Sequence, residues 1–150
     1  LHDLELQQQC AAGLNFGYFY NKSPILSYDG EAPPDYTMYQ FTSSTVPGCR
    51  APHFWLPNHS SLYDVLGSYY TLIRTDPAVD VSGIVSAAAT RNIPLSVLDI
   101  DTQEARALYP RKLTLVRPDQ HVAWRGDKEP VVPGELMDLM RGSVMARAAA

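Results

Sequence analysis

Few side chains in this sequence are spaced for covalent chemistry, and each admits a structural reading. Thiol chemistry would fall to Cys10 and Cys49, and no cysteine follows them. Two lone thiols form neither a disulfide framework nor a metal motif. Their presence suits a reducing, cytoplasmic compartment. The histidines, His2, His53, His59 and His121, lack metal-ligand spacing, although His53 and His59 could meet in space. A nucleophile, base and orienting acid could be assembled from Ser61, His53 and Asp64. The simpler reading makes Ser61 and Asp64 helix-cap residues. Gly13 and Gly17 stand four apart in an aromatic segment and form no phosphate loop. Neither G-x-G-x-x-G, G-x-x-x-x-G-K-[ST] nor G-x-S-x-G occurs.

These residues must be positioned by two unlike halves. Residues 21–60 hold six of the twelve prolines, and thirteen of the fifteen aromatics lie in the first 70 residues. Proline at that density forbids long helices and central strands. The second half is regular. Tyr69–Arg74 is a strand by its aromatic and β-branched content. A helix follows from about Asp80, its expected N-cap, to Arg91, with Val81, Ile84, Val85 and Ala88 on one face. Residues 94–100 form a buried-type strand. Asp101 and Glu104 fit a capping box for a short helix ending near Tyr109. Strands over Lys112–Val116 and His121–Arg125 flank a turn at 117–120. A last helix starts near Pro133, with Leu136, Leu139, Met140 and Val144 inward.

The order strand-helix-strand-helix-strand-strand-helix predicts an α/β, thioredoxin-like fold over 61–150. Residues 1–60 are its irregular extension, carrying an additional leading strand around 51–56. Redox chemistry in this fold needs a low-pKa thiolate where the first core helix begins. The loop there, 75–80, reads TDPAVD. Thiol oxidoreductase activity is therefore not expected.

Arg50, Pro52, His53 and Trp55 lie on a proline-bounded stretch suited to interface anchors; the structural alternative puts Trp55 over the sheet as core. Strand alternation assigns Val122 and Trp124 to one face, packed on the last helix, and His121, Ala123 and Arg125 to the other. Arg117 and Asp119 are expected to be solvated turn charges. Packed aromatics typically bury about 150–250 Å² each, more than this small unit needs. Part of 13–60 is thus expected to lie against another surface.

The net charge of −4 comes without clustered Lys and Arg, which argues against nucleic acid. No apolar run reaches membrane-spanning length, and the first residues lack signal-peptide character. Beginning on Leu1, the chain reads as a piece of a larger polypeptide.

Three stretches, PGCRAPHFWL at 47–56, SLYDVLGSYYTLI at 61–73 and VRPDQHVAWRGD at 116–127, together resemble the C-terminal domain of FAD-dependent aromatic-ring hydroxylases. Residues 13–26 are similar to the linker that follows the flavin domain there. The resemblance implies a non-catalytic tail that stabilises the enzyme or its oligomer. It implies FAD and NAD(P)H for the parent enzyme and no cofactor, metal or catalytic residue in this chain. Its implied partners are the flavin domain of the same polypeptide and further copies of itself. The alternative is a stand-alone, redox-inactive thioredoxin-like module that binds a protein.

Overall fold

The computed structural model describes residues 11–143. A short helix α1 (Ala12–Phe16) opens the extension, and α2 (Leu62–Val65) leads into the core. The core then runs β1 (Tyr70–Arg74), α3 (Ser82–Thr90), β2 (Leu95–Asp99), α4 (Gln103–Leu108), β3 (Leu113–Val116), β4 (Val122–Gly126) and α5 (Pro133–Met140). The sheet order is β2-β1-β3-β4, with β1 parallel to β2 and the remaining pairs antiparallel. This is the expected thioredoxin-like arrangement. Cys10 and Val144, the latter assigned above to the last helix, lie outside the described residues.

The sheet separates two apolar layers. Leu72, Leu113, Leu115 and Ala123 pack against Ile84 and Ala88 of α3 and Leu136, Met137 and Met140 of α5. On the other face, Ile73, Val116 and Val122 meet Leu62, Ala105, Tyr109, Ala51 and Phe54. The leading segment therefore roofs the second face, and the extension adds Leu26 to the first.

Several local expectations are corrected. The cap of α4 is Thr102, whose hydroxyl accepts from the Ala105 amide. Asp101 instead pairs with Arg106. Strand alternation fails in β4 because the register slips. Leu115 faces Trp124 but Val116 faces Val122, leaving Ala123 as an extra residue. Ala123 and Trp124 consequently both serve the helical face, while Val122 serves the opposite one. Trp124 is half-buried and packs with that layer. The turn before β4 is a tight one closed by Gln120 N–H to Arg117 C=O at 2.9 Å, with Gln120 left-handed at φ 66°. A three-residue hairpin loop of this kind carries its left-handed residue at the loop's end, here Gln120, separately from the extra residue Ala123.

Candidate functional site

The position where a thioredoxin-type thiolate would stand is the N-terminus of α3, and it is closed by carboxylates. Asp80 accepts from the Ser82 amide at 2.9 Å and the Ser82 hydroxyl at 3.0 Å. Glu129 reaches across from the loop after β4 to accept from the Ile84 amide at 2.7 Å. A side chain at Gly83 would collide with the Glu129 carboxylate, at 2.6 Å from its Cβ. Free amides and helix dipole, which would stabilise a thiolate, are thus used to bind the protein's own acids. Cys49 lies elsewhere, buried beside β4, and burial pushes its thiol pKa up. That is the opposite of activation.

Two glycines of the chain are engaged in close packing. Gly13 lets the backbone of 37–40 approach so closely that an added Cβ would sit 1.7 Å from the Thr37 carbonyl oxygen. It serves close packing. The Gly126-Asp127 pair is equally engaged: Trp124 lies against Gly126, and Asp127 accepts from Arg111 at 2.8 Å. His53 Nε2 is 2.9 Å from Ser61 Oγ, yet that oxygen caps α2 by accepting from the Tyr63 amide. Asp64 is exposed in the first turn of α2, where a carboxylate suits the dipole. Ser61 is therefore a cap.

The structure brings the other candidate residues together as a surface. Arg50 forms an antiparallel bridge with His121, and its guanidinium donates to Gln120 Oε1 at 2.6 Å. The guanidinium carbon lies 5.3 Å from the Phe16 ring centre and 4.9 Å from that of Tyr63. Tyr63 meets His53 at 5.1 Å, His53 meets Trp55 at 5.2 Å, and Phe16 meets Phe41 at 6.4 Å. Phe41, Phe16, Arg50, Tyr63, His53 and Trp55 thus form one continuous run of aromatic and cation–π contacts. Two backbone carbonyls pin its base: Ala51 accepts from Tyr63 OH at 2.7 Å, and Pro52 from the buried Tyr109 OH at 2.6 Å. Burial drives the Tyr109 hydroxyl far above its usual pKa, so it remains a donor.

The run is not core. Trp55 is 62% exposed, Phe16 47% and Phe41 38%, whereas Phe54 beside them is 3% exposed. Trp55, assigned by its structural alternative to the sheet, points away from it; alternation after Phe54 turns it outward. Leu14, Tyr18, Tyr36, Met38 and Tyr39 widen the exposed apolar area.

A second cluster fastens the extension. His121, 1% exposed, stacks on Tyr18 at 5.0 Å and Tyr20 at 4.8 Å. Its Nδ1 bonds the Asp119 carbonyl at 2.9 Å. Arg117 is not merely solvated. It pairs with Asp119 at 2.8 Å and lies 5.3 Å from the Tyr20 ring. Burial raises the Asp119 carboxyl, but bonds from His121 and the Arg117 charge more than offset this and leave it lowered.

A further fastener, Arg125, is not legible from local spacing in the sequence. Arg125 is buried, and it donates to Asp29 at 2.7 Å, to Glu31 at 2.5 Å and to Thr45 at 3.0 Å. The acid pair at i and i+2 was the only available signal.

The described residues thus form a thioredoxin-like core with a capped, thiol-free helix start and a broad exposed aromatic surface. The chain belongs to the aromatic-ring hydroxylase C-terminal family, whose model matches residues 44–145. It is 31% identical over 152 aligned residues to a phenol 2-monooxygenase of a Pseudomonas species, covering 88% of this chain and 25% of that protein. It is 29% identical over 123 residues to the FAD-dependent monooxygenase apdD of Emericella nidulans, covering 77% and 20%. The solved structure of the rebeccamycin biosynthetic enzyme RebC with reduced flavin superposes with a TM-score of 0.81 at 35% identity, covering 95% of this chain and 27% of that one. The chain spans about a quarter of the length of these relatives. Among the described residues no helix is long and apolar enough to cross a membrane.

Proposed function

We propose that this chain is the non-catalytic C-terminal domain of an FAD-dependent aromatic hydroxylase, and that it stabilises the enzyme by docking its aromatic surface on the flavin domain of the same polypeptide. The parent enzyme hydroxylates a phenolic ring with NAD(P)H and O₂. The flavin and the ring-binding pocket belong to the part of the polypeptide outside this chain, and residues 1–60 are the linker that joins the two; the leading strand expected over 51–56 is reduced to isolated bridges at Arg50 and Trp55. The observation that carries this reading is the run from Phe41 to Trp55. It is internally organised by cation–π contacts, yet exposed at both ends. Exposed aromatic patches with an Arg anchor are the composition of interface centres.

The test uses the parent polypeptide. Replacing Phe16 and Trp55 together by Ala is expected to lower its melting temperature and speed flavin loss. Replacing Cys10 and Cys49 by Ser is expected to leave turnover largely intact. Unchanged stability and flavin retention in the first variant, or turnover lost in the second without loss of folding, would contradict the reading. A parent polypeptide with no flavin domain would favour the stand-alone binding module.

A further inference from the structure

Among the described residues, every arginine but one is paired with an acid of this chain. Arg74, Arg91, Arg106, Arg111, Arg117, Arg125 and Arg141 each pair with an Asp, and Arg125 with a Glu as well. Arg50 forms no ion pair among the described residues. Its guanidinium is nevertheless partly withdrawn from water, because Nε is buried with no hydrogen-bond partner among the described residues. The contacts it makes are with neutral groups: the Gln120 amide oxygen at 2.6 Å and the Phe16 and Tyr63 rings. The acids nearest to these contacts in sequence do not answer it. Asp119 is held by Arg117 at 2.8 Å. Asp64, beside Tyr63 on α2, is exposed and forms no ion pair among the described residues.

The charge therefore stands alone in the middle of the aromatic run, whose other members bring no carboxylate. Ring faces attract a cation while it is open to water. A surface docked over it changes the balance. Stripping water from an unpaired guanidinium is costly, whereas a guanidinium that meets a carboxylate forms charge-assisted, forked hydrogen bonds. The geometry also fixes the side of approach. With Nε buried and the two rings against the guanidinium, its Nη end is the part left to a partner. The rings and Gln120 hold that end in place beforehand, which lowers the cost of ordering it on docking.

We propose that the flavin-domain surface docked on this run brings an Asp or Glu carboxylate to the Nη end of Arg50, so that the ion pair closes only when the two domains meet. The proposal rests on the docking reading above and names the chemistry of the partner surface. The aromatic side chains supply apolar area, and the pair sets the register of the contact and disfavours a surface with no acid at that point.

The test is zero-length carbodiimide cross-linking of the parent polypeptide carrying Arg50→Lys, read by peptide mass spectrometry. This substitution keeps the charge and supplies an amine that carbodiimide joins to an adjacent carboxylate as an amide; a guanidinium does not couple. A cross-link from position 50 to an Asp or Glu of the flavin domain is expected, absent from the unsubstituted parent. Hydroxyl-radical reactivity of Trp55 is measured alongside, in the isolated chain and in the parent. Arg50→Met, which keeps the stem and removes the charge, is expected to lose most of the Trp55 protection seen in the parent. The same substitution should leave the circular dichroism of the isolated chain unchanged. Trp55 protected in the parent with no cross-link from position 50, or with protection unchanged in Arg50→Met, overturns the ion pair and leaves the docking reading standing. A cross-link to Asp64 or Asp119 overturns it too, by placing the acid within this chain. So does a cross-link that joins isotopically labelled to unlabelled parent, which would assign the acid to a second copy. Trp55 equally reactive in the isolated chain and the unsubstituted parent overturns the docking reading, and the pair with it. The Arg50→Lys arm decides the matter even if Arg50→Met misfolds.

Discussion

Arg125 shows how a single side chain can hold an irregular segment in place. Its fork reaches Asp29, Glu31 and Thr45, so one guanidinium ties the extension to β4 at both its middle and its end. Only Arg offers donors in that fixed geometry. Arg125→Ala is expected to cost about 1–3 kcal/mol, less than a fully buried pair because both acids keep some solvent. Arg125→Lys should recover only part of it, and chemical denaturation of the three proteins measures both. The contact also carries a pH dependence. Burial pushes the Asp29 carboxyl up, but the Arg125 bond, the Glu31 amide and the Arg125 charge outweigh it, leaving the pKa below its ordinary value. A depressed carboxyl stabilises the fold fully above its unfolded pKa and loses that contribution as pH falls through the folded one. The protection of amides around 27–31, taken relative to their intrinsic exchange at each pH, should therefore be constant at neutral pH and fall in acid below the usual carboxyl range. An equal acid loss of protection in Arg125→Ala would show that the pair is not the cause.

At the scale of elements, regular structure was legible and irregular structure was not. The βαβ unit, the hairpin and the last helix were readable because periodicity and capping act locally. The bulge in β4 was not, because it is set by how β4 pairs with β3, and that pairing is not visible in a run of alternating residues. The same limit hid Glu129 at the start of α3, since a cap delivered from 45 residues away leaves no local spacing. The extension depends on one such non-local fit at Gly48. Its φ of +100° is left-handed, and an added Cβ would stand 2.0 Å from the Tyr20 carbonyl oxygen. Gly48→Ala is expected to destabilise by about 2–4 kcal/mol through backbone strain and displacement of the Tyr18–Tyr20 segment. Loss of Tyr18 and Tyr20 ring shifts onto His121 by NMR would accompany it. A melting temperature equal to that of the parent chain would refute the close approach.

The molecule as a whole is a thioredoxin-like fold whose first core helix starts without a thiol. Carboxylates occupy the helix start where a thiolate would act, and the fold's one described cysteine is buried away from it. Of the residues singled out in the sequence, Arg50, His53, Trp55, Arg117, Asp119 and His121 fall into two adjoining clusters joined by the Arg50–His121 bridge. Pro52 supports the first cluster from beneath, while Asp64 and Trp124 stand apart from both. The aromatics were recognisable as surplus by count alone, but which of them face solvent depended on the path of the extension. With Gly13 and Gly126 committed to close packing, the isolated chain is expected to bind no FAD. Desalting after incubation with excess flavin should leave no visible absorbance, and a stoichiometric flavin spectrum would contradict this.

The docking claim is tested most directly by hydroxyl-radical footprinting, read residue by residue, of the isolated chain and of its parent polypeptide. Phe16, Phe41 and Trp55 are predicted to react readily in the isolated chain and to be protected several-fold in the parent. Val131, 97% exposed and remote from the aromatic run in sequence and fold, should react equally in both. Equal reactivity of Phe16, Phe41 and Trp55 in the two proteins would contradict the account.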